Sequence, residues 1–309
     1  MSSSEPLVSQ IMPAWKPRKD WFLDAVASAL GQRDCSHELV VVDDGSPEPV
    51  EHLLAEIADP RLRVLRVEHG GPSHARNAGV AAARGRLIRF IDADDTYEPH
   101  STARLAALVG EHDDVIAYGA TVFCDEHLRP VWTMSSRLEG VVVEDAVLAR
   151  FPARIQSFLF PRHIVDAAGG WDPTFPVCGD LDFIVRALEH ARVRSDPGVA
   201  TYYRKHGGSV SADIVRGDQG GWRVVESYFE RHPERRPALE RRAAAARHST
   251  AARAYAARGM AGASLRRAAK ALRLSPAVLA AEVAHALPAL GGHLRRAVRR
   301  RPTLESSAE

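Results

Sequence analysis

Three carboxylates, Asp92, Asp94 and Asp95, fall within four residues directly after the apolar run 87–91. Acids this close repel one another, and core packing gives no reason to gather them where a buried strand runs out. A divalent cation carrying a polyphosphate does give one. Two other strand ends carry polar signals: Pro13-Ala14-Trp15 after the run 7–12, and Asp43-Asp44-Gly45-Ser46 after the run 38–42. A further acid, Asp180, stands at the head of a predicted helix.

The elements that must hold these groups read as alternating strands and helices. Apolar runs predict strands at 7–12, 38–42, 62–67 and 87–91, and helical spacing predicts helices at 21–30, 50–57 and 73–83. Within 38–42, Leu39 to Val42 are continuously apolar, the mark of a strand buried on both faces. Gly31 and Gly85 close the first and third helices. Such alternation predicts an α/β protein with an open, mostly parallel sheet flanked by helices. Ligands of such sheets bind at the carboxyl ends of the strands. The three polar strand ends therefore describe one crevice with an aromatic face, a hydrogen-bonding acid and a metal-binding acid cluster. A base, a sugar and a diphosphate would use them in that order.

Further along, strands are expected at 115–121, 140–143 and 201–204, and a helix at 180–190. Alanine and arginine then dominate, with helices at 239–257 and 261–274, an apolar stretch at 277–290 and an arginine cluster at 295–301. The expected organisation is an α/β domain over 1–220 that carries the crevice, a basic helical appendage over 221–301 and a disordered tail over 302–309.

The net charge of +2 hides an asymmetry. Residues 1–230 carry 24 Lys and Arg against 34 Asp and Glu, a net of −10, whereas residues 231–309 carry 17 against 5, a net of +12. An acidic body argues against nucleic acid as a partner. The basic tail fits peripheral contact with anionic lipid, or a solvated arginine face on helices packed against the body; a homodimer through the helices is also open. Three scattered cysteines show neither metal spacing nor a disulfide framework. The N-terminus lacks a basic region followed by an apolar core, and no apolar run reaches the roughly 18 residues of a membrane span. The expected setting is the cytoplasm, membrane-peripheral at most.

Several ordered motifs resemble those of the family 2 glycosyltransferases of GT-A fold, over roughly residues 7–212. Pro13-Ala14-Trp15 resembles the first-strand motif, and Val42-Asp43-Asp44-Gly45-Ser46 the nucleotide-binding motif. Ala75-Arg76-Asn77 is similar to the helical motif before the metal site, and Asp92-Ala93-Asp94-Asp95 to the metal-binding motif. Cys178-Gly179-Asp180-Leu181-Asp182-Phe183 resembles the family's Glu-Asp motif, with Gly179 replacing the glutamate. Tyr203-Arg204-Lys205-His206 followed by Ser209 and Ser211 resembles the segment that closes over the diphosphate.

The resemblance implies an inverting transfer of a sugar from a nucleotide-diphosphate donor, with UDP favoured, to an unidentified acceptor hydroxyl. Mn²⁺ or Mg²⁺ would assist, both hard cations suited to carboxylate and phosphate oxygens. Asp180 is the expected general base. Pro13, Trp15, Asp43, Asp44, Arg76, Asp92 and Arg204 would bind the donor, Asp43 or Asp44 accepting from a pyrimidine N–H and Trp15 covering the base. Asp94 is the preferred metal ligand, with Asp92 and His206 as further candidates and Asp95 behind them. Each residue also has a plainer reading: turn capping for Asp43 and Asp44, core packing for Trp15, a surface ion pair for Arg76, helix capping for Asp180. A non-catalytic nucleotide-sugar binder or scaffold is the alternative function.

Overall fold

The computed structural model describes residues 5–151, 154–207 and 213–278. The chain divides into two compact units, residues 1–231 and 232–309.

The first unit begins with β1 (Val8–Ala14), α1 (Lys19–Leu30), β2 (His37–Asp44), α2 (Glu51–Leu54), β3 (Leu62–Val67), α3 (Pro72–Ala82) and β4 (Leu87–Phe90). All eight residues of β2 are buried, as its apolar run predicts. There follow β5 (Thr96–Tyr97), α4 (Ser101–Val109), β6 (Val115–Cys124), β7 (Pro130–Met134), α5 (Val143–Val147), β8 (Phe158–Pro161), α6 (Arg162–Ala167), α7 (Gly179–Leu188), β9 (Arg192–Arg204) and α8 (Ile214–Arg231). The sheet order is β3-β2-β1-β4-β8-β6-β9-β5, with β7 paired to β6. The first four strands are mutually parallel, as are β6 and β9, while β8 runs antiparallel between β4 and β6. The α/β class and mostly parallel sheet expected from the sequence are what the chain forms.

Two apolar layers cover the sheet. Phe22, Ala25, Val26 and Ala29 of α1 pack with Met12, Leu39 and Val41, and Leu105, Ala106 and Val109 of α4 pack with Leu87, Ala117 and Leu159. Residues 140–143, read as a strand, form only a single bridge from Gly140 to Val193 before α5. Gly140 has φ +81° and Val141 is 73% exposed, so the valine run has no sheet face to pack on. The helix expected over 50–57 is confined to α2.

The second unit contains α9 (Arg236–Ala257) and α10 (Ala261–Leu274), a helical hairpin turning at Gly259 with φ +72°. Buried Ala243, Ala246, Ala251 and Ala252 line α9, and the Ser264 hydroxyl donates to the Ala252 carbonyl at 2.9 Å. The arginine cluster at 295–301, most of the apolar stretch at 277–290, and Ser209 and Ser211 lie outside the described residues.

Candidate active site

The β1–β2 register pairs Pro13 with Val42 and Ala14, the last residue of β1, with Asp43, so Trp15 leaves the strand beside the end of β2. Asp43 accepts from the backbone N–H groups of Ser46 at 2.8 Å and Val50 at 3.3 Å, and pairs with Arg66. Burial opposes the charge on Asp43, but these hydrogen bonds and Arg66 outweigh it and hold the carboxyl below the usual range. Asp44 accepts from the N–H groups of Gly70 and Gly71, both at 2.9 Å, pinning the loop that opens α3. Asp43 and Asp44 are only 1% and 2% exposed, so their first task is to shape this loop. Trp15, half exposed, stacks on His69 with ring centroids 4.8 Å apart and planes 19° from parallel.

The second cluster forms after β4. Alternating side chains on an extended segment would send Asp92 and Asp94 to one side. The chain instead turns, the Asp95 N–H reaching the Asp92 carbonyl at 3.2 Å, and all three carboxylates converge. One ligand oxygen from each lies within 4.8 Å of the others. Asp92 accepts from Arg76 at 2.6 Å and from the Gln156 amide at 2.6 Å. Asp95 is fully buried and accepts from the Arg204 backbone N–H and from Gln156, each at 2.8 Å. Asp94 meets His206 Nε2 at 2.8 Å. Burial pushes the Asp92 carboxyl up to about 6, against the pull of Arg76. Burial, with Asp94 and Asp92 beside it, holds Asp95 well above the usual range. Three converging acids, one fully buried and two partly open to solvent, offer hard oxygens at a spacing that fits a divalent cation.

The strand expected over 201–204 is the end of β9, and Arg204 is its last residue, 3% exposed, so it does not sit on a segment free to close over a diphosphate. Its guanidinium donates to the carbonyls of Asp94 and Glu126, each at 2.8 Å, and to Asp24 at 2.9 Å. It ties the acid turn to its surroundings. Arg154 and Lys205 lie nearby: Arg154 sits 5.0 Å over the Tyr203 ring and 5.5 Å over Phe123, and Lys205 5.6 Å over Phe123.

The third part is the start of α7. Asp180 is its second residue, and Cys178, at the N-cap with φ +61°, makes no side-chain cap. The Asp180 carboxylate therefore does not cap the helix. Its Oδ1 meets Arg76 at 3.0 Å and accepts from the Trp171 indole N–H at 3.2 Å, while the side chain stays 40% exposed. Arg76, 6% exposed, thus bridges the acid turn and Asp180. Burial works against its charge, and Asp180 and Asp92 more than offset this. Trp171 is fixed between Phe183, stacked at 3.8 Å, and Phe90 at 4.3 Å. The Asn77 amide grips the Trp171 backbone, donating to its carbonyl and accepting from its N–H, both at 2.8 Å. Gly170, at φ +67°, leaves room for this grip, since a Cβ there would sit 2.7 Å from Asn77 Oδ1.

Sequence reasoning missed Gln156, Trp171 and the task of Asn77. Only Trp171 had a local signal, the Gly169-Gly170 pair that reverses the chain before it.

The family model described as "Glycosyl transferase family 2" matches residues 9–171, more than half of the chain. The chain belongs to glycosyl transferase family 2. It is 45% identical over 87 residues to the succinoglycan biosynthesis protein ExoO of Rhizobium meliloti, which covers 28% of this chain and a quarter of that protein. A PGL/p-HBAD biosynthesis glycosyltransferase of Mycobacterium tuberculosis is 28% identical over 204 residues, 64% of this chain and 73% of that one. Among solved structures, residues 1–349 of S. aureus TarS in complex with UDP-GlcNAc superpose with a TM-score of 0.57 at 16% identity, covering 84% of this chain and 90% of that one. That likeness establishes a shared glycosyltransferase fold.

Proposed function

We propose that the protein is an inverting, metal-assisted glycosyltransferase that moves a sugar from a UDP-linked donor to an acceptor hydroxyl. One observation carries the reading. Asp180 is anchored through one oxygen by Arg76 and Trp171, while its other oxygen has no partner among the described residues, and Arg76 couples it to the acid turn. Family membership and the UDP-GlcNAc held by TarS support the donor class.

In this reading the base lies against the Trp15–His69 stack at the end of β1. A ring contact to Asp43 or Asp44 would need the His69–Gly71 segment to shift, because both carboxylates are covered. Asp94 would hold Mn²⁺ or Mg²⁺, since one of its oxygens has no protein partner among the described residues, with His206 and Asp92 as further ligands and Asp95 buried behind them. The metal, when bound, supplies positive charge that stabilises the departing diphosphate. Arg204 has its guanidinium engaged, so among the described residues Arg154 and Lys205 would face that charge in its place. Asp180 Oδ2 takes the acceptor hydroxyl's proton as that oxygen bonds to the anomeric carbon. The carbon–oxygen bond to the diphosphate breaks with its electron pair going to the leaving group.

Calorimetry of UDP with and without Mn²⁺ tests the donor half. Tight binding should require the metal, and Asp94→Asn should remove that requirement's benefit. UDP binding that is indifferent to Mn²⁺ in the parent protein would contradict the assignment.

A further inference from the structure

The outward face of α10 has no place in the donor chemistry. Leu265 is 71% exposed and Leu272 is 52% exposed, and Ala261 and Ala269 are exposed beside them. At about 100° per residue, Leu265, Ala269 and Leu272 share an arc of roughly 60°. Arg266, Lys270 and Arg273 form a second arc of roughly 60° next to it, all exposed and none paired with a carboxylate among the described residues. The helix contains no acid. Its opposite face is used, with Ala271 buried and Arg267 meeting His248 at 3.0 Å.

We infer that this face of α10 docks on an anionic lipid surface. Two leucines that no described residue covers, bordered by cations that no described carboxylate pairs, match an interface with acyl chains on one side and phosphate headgroups on the other. A second copy of the same face is a poorer occupant, because it would bring like charge against like charge. The charge balance agrees: residues 231–309 carry a net of +12, while residues 1–230 carry a net of −10 and would be repelled by such a surface. The inference is independent of which donor or acceptor the active site takes.

The full chain is sedimented with vesicles of mixed phosphatidylglycerol and phosphatidylcholine, and with vesicles of phosphatidylcholine alone. Binding is expected only to the first, and to weaken with salt. Leu265→Glu with Leu272→Glu should lower the partition coefficient at least about tenfold. Arg266→Gln, Lys270→Gln and Arg273→Gln together should lower it about a hundredfold. Circular dichroism and UDP binding, expected to match the parent, show that the variants fold. No sedimentation with anionic vesicles, equal binding to both vesicle types, or parent-like binding by the variants overturns the inference. So does light scattering that finds a dimer which the leucine variant splits, because the face would then join two copies.

Discussion

Removing the Asn77 side chain tests whether the active site depends on a latch that never touches substrate. Asn77→Ala deletes two 2.8 Å hydrogen bonds and strands the N–H and carbonyl of Trp171, a residue only 2% exposed. Each stranded buried group costs about 1–3 kcal/mol. Water entering the vacated space recovers part of that, leaving a net loss of about 2–4 kcal/mol. The Trp171 ring keeps its Phe183 and Phe90 contacts, so the fold should survive with its indole N–H loosened from Asp180. Displacements near 1 Å at a catalytic group cost up to about a hundredfold in rate, and kcat should fall by about ten- to a hundredfold. Donor KM should hold, because the Trp15 end rests on other loops. Asn77→Asp keeps an acceptor for the Trp171 N–H and should lose less stability. Urea denaturation followed by circular dichroism and steady-state UDP release give both readouts. A full stability loss with unchanged kcat would show that the latch supports the fold and does not position Asp180.

Two further perturbations follow from the geometry. Gly179 has no positive φ, and a Cβ there would meet Ser73 Oγ at 3.5 Å and Phe175 at 3.8 Å, ordinary contacts. Gly179→Ala should therefore raise stability by about 0.5–1 kcal/mol through the unfolded chain, read from the urea midpoint, and a drop would reveal an unseen clash. Asp43 has its folded pKa depressed below the ordinary 3.8, so its charge stabilises the fold above that value and the contribution disappears as pH falls through the folded pKa. Asp43→Asn should cost about 1–3 kcal/mol near neutrality and flatten the acid limb of a melting-temperature profile. An unchanged acid limb would mean that Asp43 is not charged in its loop.

The fold was legible where one local signal dominated. The apolar run 38–42 could only be a doubly buried strand, and the spacing at 180–190 gave α7 almost to the residue. It was illegible where distant contacts overrode local ones. β9 runs for 13 residues through Pro197 and Gly198, although a strand was expected only over 201–204. The ladder absorbs them by slipping register, Tyr118 pairing with Ser195 and Ala120 with Val199. The acids of the site announced themselves because clustered charge at a strand end needs a reason. Gln156, Asn77 and Trp171 carry no charge and come from three separate segments, so only the fold brings them together. Arg204 shows the converse: its motif resembled a diphosphate clamp, yet its donors are spent on Asp24 and two carbonyls.

The most direct measurement compares Asp180→Asn with the parent protein in two assays, Mn²⁺-dependent UDP binding by calorimetry and UDP release from a UDP-sugar in the presence of acceptor. Asparagine keeps an oxygen for the Trp171 indole and has nothing with which to take a proton. Donor affinity should stay within about threefold, while turnover falls by about a hundred- to ten-thousandfold. Turnover near that of the parent, with donor binding intact, would contradict the assignment of Asp180 as the base.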